Sequence, residues 1–553
     1  MRTISLCVIK TRSGTFFSYV QLIGKIIIMS KKVVFITGAS GSMGSEVLKQ
    51  IADTGKFKCL VLLRKKDSNI KLAKKLEKKY GENIQVEFGD LSNKDDCQKC
   101  VNMSDYILHC AAIIPPYSDK HPDAAEKSNT FGAKNLADAI VASPRKNEIK
   151  FVNIGTVAEY GHRDYKHPWG RVGDPLMISA YDFYAVTKVR GERYILDAGI
   201  PNFVSLRQSG ILYDKLILNN MDDGLMFHTG WNVPIEWSTA KQSGLLLKNL
   251  VIKDSEGTLK PGFWNKVYNI GGGAGCRVTG FDTIDAGFKL MGGSAKDFFN
   301  PNWNAARNFH CFWFYDSGVL NDYLDFQGDT FEAFWANMAK KFWYFKFGKL
   351  APKKLIRKLT IEKLLKDTNA PQYWVDNNIT GRINAFFGSR EAYEKIPSTW
   401  ENYPLLVEGN LPNGEKVDYE DLKDITKVKE KGLLLNHGYD ESKPDSELDI
   451  NDMKQAAKFR GGECISETMV KGDLYTHLKW RCHDGHEFSS APYTVIKAGH
   501  WCPVCCTPAP WNFDALSKKV PYFAQLWYDT HDKLEANFYS KDCYKDILTE
   551  NKK

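Results

Sequence analysis

A glycine-rich turn between an apolar segment and an amphipathic segment constrains this chain most strongly. The apolar residues 33–36 predict a buried strand, and a helix is predicted to begin at Ser42. Such a turn lets the backbone approach a pyrophosphate, which the N–H groups and dipole of the helix N-terminus bind. The sequence therefore predicts a pyrophosphate-binding turn formed by Gly38, Ser40, Gly41, Ser42, Met43 and Gly44.

Short apolar segments alternate with helical patterns after this turn. The segments are residues 59–63, 84–88, 106–110 and 151–154. This alternation predicts an α/β fold with a doubly wound parallel sheet of the Rossmann type. With 553 residues, of which 43% are hydrophobic, the chain is long enough for two or three domains. Its 13 cysteines, an odd number, do not indicate a disulfide framework, so we expect a reduced, cytoplasmic protein.

The end of the second predicted strand indicates which cofactor is bound. Arg64 lies about 20 residues past the glycines, where the adenosine ribose is held. An acidic residue there accepts a hydrogen bond from the 2′-hydroxyl, whereas an arginine pairs with a 2′-phosphate. NADP(H) is therefore favoured over NAD(H), the alternative being a solvated basic turn. The small residues Ala111 and Ala112 after the fourth strand let a cofactor lie against the backbone.

A tyrosine and a lysine four residues apart, Tyr184 and Lys188, predict a proton-transfer site. On a helix the two side chains share one face. An ammonium beside a phenol lowers the pKa of the phenol, which can then exchange a proton with a carbonyl or hydroxyl group.

Together these motifs resemble the extended short-chain dehydrogenase/reductases, the NAD-dependent epimerase/dehydratase family. The resemblance covers residues 31–330 and includes Gly89-Asp90-Leu91, Asn129 within Asn-x-x-Gly, Thr156, and Leu206-Arg207. It implies a Rossmann domain with a small substrate lobe, which we place at residues 29–330, and a homodimer.

The resemblance also implies roles for individual residues. Tyr184 would be the general acid/base, and Lys188 would lower the pKa of Tyr184 and hold the nicotinamide ribose. Thr156 would hydrogen-bond the substrate oxygen. Asn129 would complete the catalytic group. Asp90, followed by Leu91, would contact the adenine.

Departures from the family patterns narrow the choice among the reactions of the family. The 4,6-dehydratases of this family carry an Asp-Glu pair after the catalytic threonine, where this chain has Val157 and Ala158, so dehydration lacks its acid and base. Many sugar-nucleotide enzymes have an asparagine where this chain has Gly210. The pattern is closer to the steroid and flavonoid reductases.

We therefore expect hydride transfer between the nicotinamide and a ketone or secondary alcohol of a small, fairly apolar substrate. Phe227, Trp231 and Trp237 either line its pocket or belong to the core. The alternatives are a nucleotide-sugar epimerase, and a cofactor-binding sensor or scaffold that acts through the tail.

Residues 331–436 are rich in aromatic and basic residues and are predicted to be helical. Residues 340–366 contain ten basic residues and a single acidic one, Glu362. Either residues 334–366 make weak contact with an anionic membrane surface, or their aromatic residues pack on the reductase domain with the lysines in solvent. The acidic, polar residues 437–452 are predicted to be a linker.

The tail, residues 453–553, carries a set of metal-ligand residues. Cys482, His486, Cys502 and Cys505 have the spacing of a tetrahedral zinc site, and four protein ligands indicate a structural zinc ion. His483 and His500 compete with His486, and Cys506 with Cys505. The tail resembles zinc ribbons, which bind a protein or nucleic acid or cap the fold.

Residues 1–28 differ in character from the strand-and-helix pattern that begins after Met29. Their apolar part is interrupted by Lys25 and is too short to span a membrane. We expect a disordered extension or a wrongly assigned start before Met29, with a membrane anchor as the alternative.

Overall fold

A seven-stranded parallel sheet organises the first part of the chain. The computed structural model describes residues 31–216 and 223–548. The strands in these residues are β1 (Val33–Thr37), β2 (Lys58–Leu63), β3 (Ile84–Phe88), β4 (Tyr106–His109), β5 (Lys150–Thr156), β6 (Trp169–Gly170), β7 (Phe203–Gln208), β8 (Gly210–Leu212), β9 (Pro234–Thr239), β10 (Lys266–Ile270), β11 (Arg277–Thr279), β12 (Trp313–Phe314), β13 (Glu463–Cys464), β14 (Leu478–Arg481) and β15 (Glu487–Ser490).

Helices follow most strands of the large sheet and also fill the region after residue 330. In the described residues they are α1 (Ser42–Ala52), α2 (Asp67–Tyr80), α3 (Lys94–Asn102), α4 (Tyr117–Lys120), α5 (Pro122–Ala125), α6 (Phe131–Ala142), α7 (Phe183–Asp197), α8 (Ala240–Ser255), α9 (Gly280–Lys289), α10 (Ala295–Phe298), α11 (Ser317–Leu324), α12 (Phe331–Lys341), α13 (Lys353–Leu359), α14 (Ile361–Leu364), α15 (Pro371–Asp376), α16 (Thr380–Phe387), α17 (Arg390–Glu394), α18 (Tyr419–Lys423), α19 (Ile450–Phe459), α20 (Phe513–Ser517) and α21 (Pro521–Trp527).

The strand order of the large sheet is β10-β7-β5-β4-β1-β2-β3. All neighbouring strands run parallel. The chain winds outward from β1 in one direction through β2 and β3, and in the other through β4, β5, β7 and β10. In such a doubly wound sheet the crevice lies at the carboxyl ends of the strands where the winding direction reverses. This confirms the predicted α/β fold.

The two faces of the sheet bury separate apolar clusters. Val34 and Ile36 of β1 pack in one cluster with Val47 of α1 and Leu250 of α8. Phe35, between them, packs in the other cluster, which includes Leu136 of α6. Successive side chains of a strand point to opposite faces, so a continuous apolar run is what a strand covered on both sides requires.

The region after residue 330 is helix-rich as predicted, and it contains a small antiparallel sheet near the cysteine cluster. That sheet has the order β13-β14-β15. The described residues from Lys32 onward cluster as one compact unit. The predicted linker at residues 437–452 is packed, because Tyr439 and Leu448 are buried and His437 hydrogen-bonds Asp174.

The tail covers the free edge of the large sheet. The hydroxyl of Tyr493 accepts a hydrogen bond of 2.8 Å from the backbone N–H of Val267 in edge strand β10. Both residues are buried. An unpaired backbone group at a buried edge would be costly, so the tail completes the hydrogen bonding of the sheet.

The predicted extension at residues 1–28 lies outside the described residues. Among the described helices, none combines the length and the apolar character that a membrane crossing needs.

We expect Tyr493→Phe to lower the free energy of unfolding by about 1–3 kcal/mol, because it leaves the buried N–H of Val267 without an acceptor. Denaturant unfolding measures the loss. Tyr475→Phe is the matched control, since the Tyr475 hydroxyl donates to the carbonyl of Asn265 at 2.8 Å from an exposed position. We expect the control to cost less than about 0.5 kcal/mol; equal losses would contradict the role given to the β10 edge.

Candidate functional site

A cleft with a volume of 660 Å³ lies at the carboxyl ends of β1, β2 and β4. Most of the predicted cofactor-binding residues line it: Gly38, Ser40, Gly41, Arg64, Asp90, Leu91, Ala111 and Ala112. Ser42, Met43 and Gly44 form the first turn of α1 beside the cleft. The structure therefore brings together residues that are up to 74 positions apart in the sequence (Gly38 to Ala112).

The glycine-rich turn leaves no room for larger residues at two positions. Gly38 has a φ of +71°, and a Cβ atom there would lie 2.8 Å from the backbone of Ala111. A Cβ atom on Gly44 would lie 2.3 Å from the carbonyl oxygen of Gly38. Helix α1 begins after Gly41 without a side-chain cap. Its first N–H groups are therefore available to an anion, as the binding of a dinucleotide pyrophosphate requires.

The end of the cleft next to β2 is basic. Arg64 and Lys66 line it, and the side-chain amide of Asn69 donates to the carbonyl of Arg64 at 2.8 Å, which fixes the turn. Asp90 lines the same cleft and accepts a hydrogen bond from the N–H of Ser92 at 2.9 Å. The residues present fit a dinucleotide, with the two cations placed for a phosphate group.

Three of the four predicted catalytic residues converge where β5 and α7 meet. Tyr184 and Lys188 lie on α7, and Thr156 ends β5. The Thr156 side chain lies close enough to the Tyr184 hydroxyl to lower its pKa, and it accepts a hydrogen bond from the N–H of Ala158 at 3.2 Å.

The pKa of Tyr184 is raised, whereas the expectation was a pKa lowered by Lys188. Burial raises the pKa of Tyr184, the hydrogen bond from Thr156 lowers it, and the carboxylates of Asp182 and Glu159 raise it further. The pKa of Lys188 is itself shifted by burial and by nearby acids. Burial lowers the pKa of the Lys188 ammonium, and Glu159 and Glu192 raise it.

Asn129 is hydrogen-bonded both to the loop after β4 and to α7. It lies in a π-helical turn, Glu126–Thr130, just before α6. Its side-chain oxygen accepts from the N–H of Ile113 at 2.8 Å, and its amide donates to the carbonyl of Ile113 at 2.9 Å and to the Thr187 hydroxyl at 3.0 Å. It therefore ties the loop after β4 to the helix that carries Tyr184 and Lys188.

Glu159, one residue beyond Val157 and Ala158, points into the protein and is buried. One carboxylate oxygen accepts from the backbone N–H of Thr156 at 3.1 Å, and the other lies 3.2 Å from Arg207. Val157 and Ala158 are buried. The site thus holds Thr156 firmly but presents no acid–base pair next to it.

The side of the site next to Tyr184 is acidic, a feature that the sequence motifs do not indicate. Asp182 caps α7 by accepting from the N–H of Ala185 at 2.9 Å and lies 3.0 Å from His310. Burial and the carboxylate of Asp182 raise the pKa of Asp119 to about 8. Asp119 is therefore protonated near neutral pH and can donate a hydrogen bond. The position of Asp182 as a helix cap was readable from the sequence; that of Asp119 was not.

The three aromatic residues considered for an apolar pocket belong to the core or support it. Phe227 and Trp231 are buried and contact Phe299, with ring centroids 5.7 and 5.5 Å away. Trp237 packs over Gly210, where a Cβ atom would lie 2.5 Å from the indole ring. Gly210 therefore makes room for Trp237, which gives that glycine a packing function.

The tail reaches the back of α7, the helix that carries Tyr184 and Lys188. The Nε2 atom of His500 lies 3.1 Å from the carboxylate of Glu192 on α7, and both side chains are buried. Arg207 donates to the carbonyl of Ala498 at 2.7 Å and to Glu192. His500, considered as a rival metal ligand, is thus engaged with the catalytic domain.

The four predicted metal ligands lie together in the tail. The Cys482 Sγ atom is 3.4 Å from the Nδ1 atom of His486 and 3.7 Å from the Sγ atom of Cys505, and Cys502 lies 3.8 Å from His486. With Zn–S bonds of about 2.3 Å, tetrahedral ligand atoms lie about 3.8 Å apart. The donor set therefore fits zinc.

Comparison with known proteins identifies the domain. Residues 34–207 match the model of the NAD dependent epimerase/dehydratase family. The chain is 30% identical over 134 residues to the capsular polysaccharide biosynthesis protein CapD of Staphylococcus aureus, a match that covers 23% of this chain and 22% of that protein. It is 29% identical over 113 residues to the probable polysaccharide biosynthesis protein EpsC of Bacillus subtilis, a match that covers 20% and 19%. The chain thus spans about a fifth of the length of these relatives.

A solved structure with a similar fold is UDP-glucuronic acid 4-epimerase from Bacillus cereus in complex with UDP-glucuronic acid and NAD. It is 19% identical, and the match covers 56% of this chain and 100% of that one with a TM-score of 0.42. On the family match and the motifs in the cleft, the chain carries an NAD-dependent epimerase/dehydratase domain, the extended short-chain dehydrogenase/reductase type that its sequence resembles.

Proposed function

We propose that this domain is an enzyme that oxidises and reduces a carbinol carbon of a nucleotide-linked sugar, as an epimerase does, with Tyr184 as general acid/base. The observation that carries the proposal is the convergence of Tyr184, Lys188 and Thr156 where β5 and α7 meet, with Thr156 acting on the pKa of Tyr184. A bound nicotinamide dinucleotide would supply the acceptor and donor of hydride.

The chain's own residues divide the proton chemistry between them. Tyr184 would take the proton of the substrate hydroxyl as hydride leaves the carbon and return a proton when hydride comes back. Thr156 would hydrogen-bond the same oxygen. Asp119, protonated near neutral pH, would donate to a neighbouring hydroxyl.

Two findings favour a sugar over the small apolar ketone that the sequence motifs suggest. Asp182, which acts on the pKa of Tyr184, and the groups that interact with it, His310 and Asp119, make these surroundings polar. Phe227 and Trp231 are in the core. The two matched relatives are named for polysaccharide biosynthesis. Elimination of water is not proposed, because Val157 and Ala158 are buried and carry no acid or base.

A second candidate function is an NADP(H)-dependent reductase that exchanges its cofactor in every turnover. Arg64 and Lys66 in the cleft support it, because two cations there suit a 2′-phosphate. Release and identification of any nicotinamide dinucleotide that co-purifies distinguishes the candidates. Tightly held NAD supports the epimerase, and an empty site that takes NADPH supports the reductase.

We expect Tyr184→Phe to lower turnover by at least about a hundredfold while leaving cofactor affinity unchanged, because only the transferable proton is lost. Because burial raises the pKa of Tyr184, the phenolate is scarce at neutral pH, and alcohol oxidation should quicken about tenfold per pH unit between about pH 7 and 9. Steady-state rates across this range measure both effects.

The control is Tyr194→Phe, on the same helix but bonded to Asp138 and Lys134 away from the cleft, which should leave turnover unchanged. A plateau below about pH 8 would show that Lys188 lowers the pKa of Tyr184 in the working enzyme.

For the cofactor, we expect Arg64→Ala to weaken NADPH binding at least about tenfold and to change NADH binding little, because only NADPH carries the 2′-phosphate. Fluorescence titration of both reduced cofactors gives the ratio. Lys65→Ala is the matched control, since this exposed neighbour does not line the cleft. Equal weakening of both cofactors by Arg64→Ala would remove the case for NADP.

For the tail, we propose a structural zinc ion held by Cys482, His486, Cys502 and Cys505. We expect about one zinc per chain by elemental analysis and a lower thermal midpoint after chelation, because metal binding contributes to folding. Cys505→Ser should lose the metal. Cys506→Ser is the control: its sulfur lies 3.5 Å from that of Cys505 but outside the four-ligand group, so the zinc should stay.

A further inference from the structure

The segment between α12 and α14 exposes apolar side chains in an unusual density. We name residues 340–359 the basic–aromatic face. Its exposed apolar residues are Trp343, Tyr344, Phe347, Leu350, Leu355 and Leu359, with Leu350 exposed to 83%. An apolar side chain in water is common singly, but a run of six within 17 residues marks a contact surface.

The preceding helix shows that these exposed residues are not simply part of the core. Phe331, Trp335 and Met338 of α12 are buried, and Phe342 completes the buried set. After it, Trp343, Tyr344 and Phe347 are exposed, and the rings of Trp343 and Phe347 are in contact at a centroid distance of 6.0 Å. Helix α12 therefore attaches the segment to the core, and several apolar side chains after it are exposed to solvent.

The charge of the face has one sign. Residues 333–361 contain no aspartate or glutamate and eight lysines and arginines. Three of the cations pair with acids at the edges: Lys341 with Asp214, Lys353 with Asp297, and Arg357 with Glu362. Five others have no carboxylate partner among the described residues: Lys340, Lys346, Lys349, Lys354 and Lys358.

The cations and the rings are interleaved. The ammonium of Lys346 lies 5.5 Å from the ring centroids of both Trp343 and Phe347. On a membrane, tryptophan and tyrosine favour the level of the headgroups, while lysine contacts the anionic phosphates. A second copy of this chain would bring its own lysines against these and be repelled. The occupant that fits both properties is an anionic lipid surface.

We propose that the basic–aromatic face docks this protein on the surface of a membrane that contains anionic lipids. The docked segment lies in the interface and does not cross the bilayer. Helix α12, which precedes the face, lines a second cleft of 550 Å³ together with Ser40, Gly41 and Ser42.

Co-sedimentation of the full chain with lipid vesicles tests the proposal. Vesicles of mixed phosphatidylserine and phosphatidylcholine should bind the protein at least about tenfold more tightly than phosphatidylcholine alone, and high salt should remove the difference. Failure to bind the mixed vesicles at low salt would overturn the proposal.

Paired variants separate the two contributions. Trp343→Ala with Phe347→Ala should weaken binding to the mixed vesicles at least about tenfold, and Lys346→Glu with Lys354→Glu should abolish the preference for phosphatidylserine. All four side chains are exposed, so the thermal midpoint should not change.

The matched controls carry the same chemistry elsewhere on the surface. Leu534→Ala with Phe538→Ala removes exposed apolar side chains, and Lys74→Glu with Lys75→Glu reverses exposed charges. Neither pair should alter binding, and equal loss in the controls would contradict a specific face. Sedimentation equilibrium without lipid is the last check. If the protein forms a dimer that the double variant Trp343→Ala, Phe347→Ala dissociates, and if it does not bind vesicles, then the face contacts a second copy of this chain.

Discussion

A buried guanidinium, that of Arg207, holds together the parts of the chain that meet behind the candidate catalytic residues. It lies on β7 and bonds Glu192 of α7, the carboxylate of Glu159 after β5, the hydroxyl of Tyr160, and the carbonyl of Ala498 in the tail. All four side chains involved are buried. Removing water from these charges is costly, and only the complete set of partners offsets that cost.

This network places the tail within the structure of the site. Burial raises the pKa of Glu192, but Arg207 and His500 outweigh that effect, so the carboxylate stays ionised. Glu192 and Glu159 in turn favour the charged form of Lys188. A loop of the tail thereby supports the charge of a proposed catalytic residue. Zinc bound by Cys502, two residues after His500, would fix that loop, because metal binding and local folding are coupled.

The sequence reveals the Rossmann domain because its signals are local. A strand, a glycine turn and a helix occur in succession within 20 residues from Val33, and the four metal ligands occur within 24 residues from Cys482. The network at Arg207 joins residues up to 308 positions apart, as in the pair of Glu192 and His500. No spacing rule indicates such a contact, and His500 in the sequence alone is merely another histidine near the cysteines.

The pKa of Tyr184 likewise depends on features that the sequence motif does not contain. A lysine four residues along a helix predicts a lowered phenol pKa, yet burial is the largest effect, and Asp182 at the start of α7 and Glu159 after β5 raise the pKa further. The aromatic residues after position 330 behave similarly, since composition alone does not separate Trp335, which is buried, from Trp343, which is exposed. Whether an aromatic side chain is buried depends on which other elements of the fold pack against it.

The edge of the large sheet gives the tail a structural role that does not depend on any partner. The buried N–H of Val267 in edge strand β10 donates to the hydroxyl of Tyr493 and not to a neighbouring strand. The same short segment continues into Ala498 and His500, which complete the network behind α7. Removal of the tail would therefore expose both the edge of the large sheet and the buried ion network. Among the roles that a zinc ribbon can take, these contacts favour capping of the catalytic fold.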